Sequence, residues 1–162
     1  MRKEFATLTG KVLEEVKKVY ADRLVTLAIF GSVGRGTPGY HSDVDLLVVA
    51  EQLPEGRIRR VEEFYAVEQA LEEELRRLVK QGIYTRLSPV FKTREEVRRG
   101  SPLFLDMIDD AVILYDREGF FASFLRDLRS RLSTLGARRI ARGGAWYWDL
   151  KPDFKKGDVI EL

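Results

Sequence analysis

The chain has 162 residues, 44% of them hydrophobic and 33% charged, which suits one globular domain with a real core. It has no cysteine and one histidine, which excludes disulfides, thiol nucleophiles, Cys-based zinc sites and His-rich metal centres. No apolar run approaches the roughly 20 residues of a membrane span, the first residues lack the apolar core of a secretory signal, and a net charge of +2 makes no whole-molecule case for nucleic acid; the expected location is the cytoplasm.

Residues 2–20 carry Phe5, Leu8, Val12, Val16 and Val19 at spacings of three and four, the stripe of an amphipathic helix. Leu24–Phe30 and Asp43–Ala50 are nearly continuous apolar runs, which predict interior strands covered on at least one face. After the Pro54-Glu55-Gly56 turn, one helix is predicted over Arg57–Lys80. Its face is Ile58, Val61, Phe64, Val67, Leu71, Leu75 and Leu78, and Gly82 stands where a C-terminal glycine belongs. Ile83–Phe91 reads as a third strand, with Pro89 pointing to an edge or a bulge. Thr93 to Glu96 is a capping box, Ser101-Pro102 restarts a helix to about Asp109, and Ala111–Tyr115 is a short fourth strand. A last long helix is expected over Glu118–Leu135, with Phe121, Leu125, Leu128, Leu132 and Leu135 inward.

The tail differs in composition. Arg138, Arg139 and Arg142 precede AWYWDLKPDF, which reads as loop-like. Its aromatics either stack bases or dock a partner, or they fold back over the core and seal it. No linker separates 1–136 from 137–162, so the basic, aromatic tail is expected to pack on the same domain. The order of elements is α/β (α+β) but lacks strict βαβ alternation, and it predicts a small mixed sheet with helices packed on it.

The chemistry concentrates in FGSVGRGTPGYHSDVDLLVV, residues 30–49. Side chains alternate on a strand, so Asp43 and Asp45 share one face. Two adjacent carboxylates repel unless a cation lies between them, and Mg²⁺ is usually held by one or two carboxylates plus substrate phosphates. Gly31 lets backbone approach a ligand without a Cβ in the way. Ser32 offers a hydroxyl and an N–H, and a helical turn over 33–36 would aim further N–H groups at the same spot.

The pattern G-S-x(10)-D-x-D formed by Gly31, Ser32, Asp43 and Asp45 resembles the signature of the DNA-polymerase-β-like nucleotidyltransferase superfamily. The match is best to its small branch, the minimal nucleotidyltransferases of the MntA-like antitoxin type. The resemblance is specific over residues 24–50, loose over 1–116, and leaves the tail outside. It implies the superfamily's polymerase-β-like fold and transfer of NMP, AMP from ATP above all, to an acceptor hydroxyl with Mg²⁺. It implies that Asp43 and Asp45 are catalytic and hold the metal, and that Gly31 and Ser32 bind the triphosphate. Arg35, in the same turn, either meets a phosphate bidentately or faces solvent.

The family often places a third carboxylate on a later strand, yet IYTRLSPVF has none and Ser88 lies near that position. Asp106, Asp109, Asp110 and Asp116 have ordinary surface, capping or strand-end readings, and His41 reads as a polar loop residue. The resemblance also implies a small helical partner of the HEPN type, whose tyrosine would accept AMP. The competing reading is a catalytically weak or inactive nucleotide-binding module that neutralises a partner by contact. A third, less favoured, is RNA end modification served by the basic arm.

Overall fold

A computed structural model describes residues 2–162. Its centre is a four-stranded mixed sheet in the order β3-β2-β1-β4, built from β1 (Leu24–Phe30), β2 (Val44–Ala50), β3 (Leu87–Lys92) and β4 (Val112–Asp116). β1 is antiparallel to both β2 and β4, whereas β3 runs parallel to β2. Parallel neighbours need a crossover, and the helices α3 (Arg57–Ala70) and α4 (Glu72–Lys80) supply it.

Helices cover both faces, which is why β1 and β2 are apolar almost throughout. On one face Leu27, Ile29, Val44, Leu46 and Val48 pack against Phe5, Leu8, Val12 and Val16 of α1 (Lys3–Tyr20) and against Phe64, Val67 and Leu78 of the crossover. On the other, Val25, Ala28, Leu47 and Val49 meet Val97 of α5 (Arg94–Arg99), Phe104 and Met107 of α6 (Leu103–Asp110) and Phe121 of α7 (Phe120–Leu135). Each fully buried Leu or Phe contributes about 1.5–3 kcal/mol, so the central strand pair is a firm platform for what lies at its end. Among the described residues, no helix is long and apolar enough to cross a membrane.

Several expectations need correction. The single helix over Arg57–Lys80 is two, broken at Leu71 (φ −99°, ψ 3°), whose N–H is shared between the carbonyls of Val67 and Glu68. The break lets Leu71 and Leu78 stay in the core, but the first turns of α3 run past it. Ile58 is 75% exposed and Val61 borders a cavity beside β3. α4 closes as expected at Gly82 (φ +79°), where Ile83 N–H bonds Leu78 O at 3.0 Å and Gly82 N–H bonds Val79 O at 2.9 Å.

That closure shortens the third strand. Residues 83–86 lie outside the strand: the Ile83 donor belongs to the helix end, Tyr84 N–H bonds Tyr40 O at 2.7 Å, and Arg86 O accepts from Val44 N–H at 2.8 Å just before β3 begins. Pro89 sits in β3, which is an edge strand. The capping box is present, with Glu96 N–H to Thr93 Oγ1 at 3.2 Å and Thr93 N–H to Glu96 Oε2 at 2.8 Å. The tail is not a loop: β5 (Arg138–Arg142) and β6 (Ala145–Asp149) form an antiparallel hairpin. Trp148 and Leu150 pack against the α6–α7 face of the core.

Candidate active site

β1 and β2 are joined through the motif. The chain leaves Phe30 extended and enters α2 (Gly31–Gly34), so the helical turn begins two residues before the expected 33–36. Gly31 is required twice over. Its φ is +65°, and a Cβ there would lie 2.1 Å from Asp45 Oδ2. The Gly-Ser turn therefore rests directly on the second carboxylate of the D-x-D pair. Gly34 is equally close-packed: a Cβ would lie 2.5 Å from the Asp110 carbonyl, which presses the turn against the C-terminal end of α6.

Asp45 stands opposite Phe30 in the β1–β2 ladder and opposite Ser88 in the β2–β3 ladder. Burial pushes its carboxyl up from the ordinary aspartate range and the neighbouring Asp43 charge adds to this, while a hydrogen bond from Ser88 and the Arg35 charge oppose it. Asp43 lies at the head of β2. Its Oδ1 accepts from Arg86 N–H and its Oδ2 from Arg86 Nη2, both at 3.2 Å. The Arg86 side chain is 85% exposed, so this pair is weak and easily exchanged.

Two carboxylates with hard oxygens, one of them raised by burial and by its neighbour, make a donor set short of positive charge. That chemistry fits a divalent cation completed by phosphate oxygens. Among the described residues no group of three or more His, Asp or Glu could hold a metal. The position beside Asp45 on β3, where a third acid was sought, is Ser88.

The nearby acids have partners. Asp116 accepts from Phe121 and Ala122 N–H and caps α7. Asp109 pairs with Arg129 at 3.1 Å. Asp110 is not the ordinary surface or capping residue expected of it: it is 8% exposed and takes Arg35 at 3.2 Å and Arg139 at 3.0 Å on one oxygen, Oδ2. Arg35 is thus neither free in solvent nor isolated. Ser42 closes the loop, its Oγ accepting from Gly39 N–H at 2.9 Å, and His41 stacks on Tyr84 with centroids 5.2 Å apart. Sequence reasoning missed Arg86 and Asp110. Nothing local marks either, because each meets the motif only through the fold.

The sequence matches the nucleotidyltransferase domain family over residues 10–102, a span that includes the turn, both aspartates and Ser88. The chain belongs to the nucleotidyltransferase domain family. Its resemblance to polymerase-β-like transferases is thereby met at the level of family, mixed α/β fold and enzyme class. A candidate protein adenylyltransferase of Methanocaldococcus jannaschii is 31% identical over 127 residues, covering 75% of this chain and 79% of that one. A toxin–antitoxin MntA–HepT structure superposes with a TM-score of 0.47 at 15% identity, covering 80% of this nucleotidyltransferase and 88% of that chain. A tri-AMPylated Shewanella oneidensis HEPN toxin in complex with its MNT antitoxin gives 0.46 at 16%, covering 79% and 88%.

Proposed function

We propose that this nucleotidyltransferase moves AMP from ATP to a hydroxyl of a partner protein. The observation that carries the reading is the seating of the Gly31-Ser32 turn on Asp45, with Asp43 beside it. That arrangement brings phosphate donors and metal-binding carboxylates to one point. Ser32 and the first N–H groups of α2, which have no intrahelical partner, hold the β- and γ-phosphates, and Arg35 adds charge. Asp43 and Asp45 would hold Mg²⁺, which when bound neutralises charge on the triphosphate and the leaving group.

In the reaction the acceptor oxygen attacks the α-phosphorus. The bond from that phosphorus to the oxygen bridging to the β-phosphate breaks, pyrophosphate leaves, and the hydroxyl proton passes to solvent. Ser88 in place of a third acid is consistent with solvent as the proton's destination. A cavity of about 590 Å³ opens on Asp43, with Arg86, Ser88 and the apolar Val61 and Leu87 among its lining. The exposed Ile58 and Tyr65 stand on the same helix as Val61. An apolar wall of this kind suits a polypeptide acceptor better than RNA, and a small helical protein of the HEPN type fits the relatives found.

The test is incubation with α-³²P-labelled ATP and Mg²⁺, with and without a helical partner, comparing wild type with Asp43→Asn. Label on the partner that vanishes in the variant is expected. A second reading, a weak or inactive module that binds nucleotide and neutralises a partner by contact, draws on Ser88 alone. Metal-dependent ATP binding without any labelled product would favour it.

A further inference from the structure

The hairpin β5–β6 lies beyond the span matched by the family, yet its contacts run to the motif turn. Two guanidiniums lie over the Trp146 ring, that of Arg35 at 4.5 Å from a ring centroid and that of Arg139 at 4.2 Å. Trp146 Nε1 donates to Asp106 Oδ1 at 3.2 Å, which fixes the indole against α6. Arg35 Nη1 and Arg139 Nη2 share Asp110 Oδ2 at 3.2 and 3.0 Å. Arg139 also reaches Asp109 Oδ2 at 3.5 Å. The Asp110 backbone is in turn locked to the turn by its close approach to Gly34.

Arg35 is held on one side by an aromatic face and on another by a buried carboxylate, while its side chain keeps 29% of its exposure. A guanidinium has five N–H donors, and Asp110 takes a bond from one nitrogen of Arg35, leaving Nη2 and Nε for a ligand. A free loop arginine would lose side-chain freedom on clamping a phosphate. One already stacked and paired has lost most of it.

We infer that the C-terminal hairpin is a working part of the nucleotide site, with Trp146 and Asp110 acting as positioning residues that hold Arg35 toward the triphosphate of ATP. This rests on the nucleotide reading above and gives the tail a role within it.

The experiment measures binding of a non-hydrolysable ATP analogue with Mg²⁺ by calorimetry on the full chain. The variants are Arg35→Ala, Trp146→Ala, Trp146→Phe and the Arg35→Ala/Trp146→Ala double. Trp146→Ala is expected to weaken binding about tenfold, as is Arg35→Ala. The double is expected to be no weaker than Arg35→Ala alone, and Trp146→Phe, which keeps a ring for stacking, to recover most of the loss. As a check independent of truncation, Trp148→Phe leaves Trp146 as the one tryptophan, and its fluorescence is expected to change on saturation with the analogue.

Losses that multiply in the double variant, or Trp146→Ala binding as wild type does, overturn the inference. So does fluorescence that ignores the analogue. If wild type binds no analogue, the nucleotide reading fails and takes this inference with it, whereas wild-type binding matched by Trp146→Ala removes this inference alone.

Discussion

Two carboxylates near the β2–β3 edge make an instructive pair. Glu96 is fully answered: Arg60 grips it through both nitrogens at 2.8 and 3.0 Å, and Thr93 N–H adds a bond at 2.8 Å. The Arg60 hydrogen bonds hold its carboxyl below the ordinary glutamate range, against the pull of burial. Asp45 is the reverse. Burial and Asp43 push it up, and the Ser88 hydroxyl and the Arg35 charge answer only in part. The first acid completes a cap and stabilises the fold as it stands. The second is left under-neutralised beneath a tight turn, the condition expected of a group awaiting a ligand.

The sharpest way to break this contrast is to neutralise each acid in turn. Asp45→Asn, like Asp43→Asn, should lower AMP transfer by on the order of 10³-fold, read as labelled product per unit time. The same Asp45→Asn change should raise the Tm of the ligand-free protein, by roughly 2 °C. The sign follows from the raised carboxyl. Ionising Asp45 in the folded state is uphill, so its contribution to stability is fully present in acid and lost as pH rises through the folded value. A calorimetric scan showing a fall in Tm would remove the idea that the site is under-neutralised.

Gly31→Ala comes next. A Cβ driven into Asp45 Oδ2 at positive φ should cost about 1–3 kcal/mol by urea unfolding. Glu96→Gln should cost about 1–2 kcal/mol at neutral pH. Glu96 is depressed in the folded state, so its contribution is present above the unfolded value of about 4.3 and lost as pH falls through the folded one. The variant should therefore show a flatter loss of stability across that acid window. Ser88→Ala should move the acid limb of ATP binding to higher pH, because it removes a hydrogen bond that favours the Asp45 carboxylate; an unmoved limb would detach Ser88 from the site. The smallest effect is expected at Ile58→Ser, within about 0.5 kcal/mol, since this side chain lies outside the core.

What was legible in the sequence was what local spacing fixes. The strands Leu24–Phe30 and 43–50, the D-x-D face, the capping box and Gly82 all follow from periods and dihedral preferences within a few residues. The interrupted helix at Leu71 was not legible, because both halves share one apolar period and the exposure of Ile58 depends on where the sheet ends. The partners of Arg35 were hidden for a different reason: Asp110 lies 75 residues away and Trp146 farther still. The tail read as a loop because Gly, Pro and Asp lie near its aromatics, whereas Gly143 and Gly144 form the turn of a hairpin, both at positive φ.

Pro89 has a further consequence. An edge strand presents a row of unpaired amide and carbonyl groups on which another chain can zip up. β3 is such an edge, and Pro89 interrupts its row of donors at a residue that registers with Leu46 inside the sheet. Fibre growth or sheet-to-sheet fusion along that rim is thereby discouraged, and the flank next to Asp43 stays open at high protein concentration instead of being consumed by self-association.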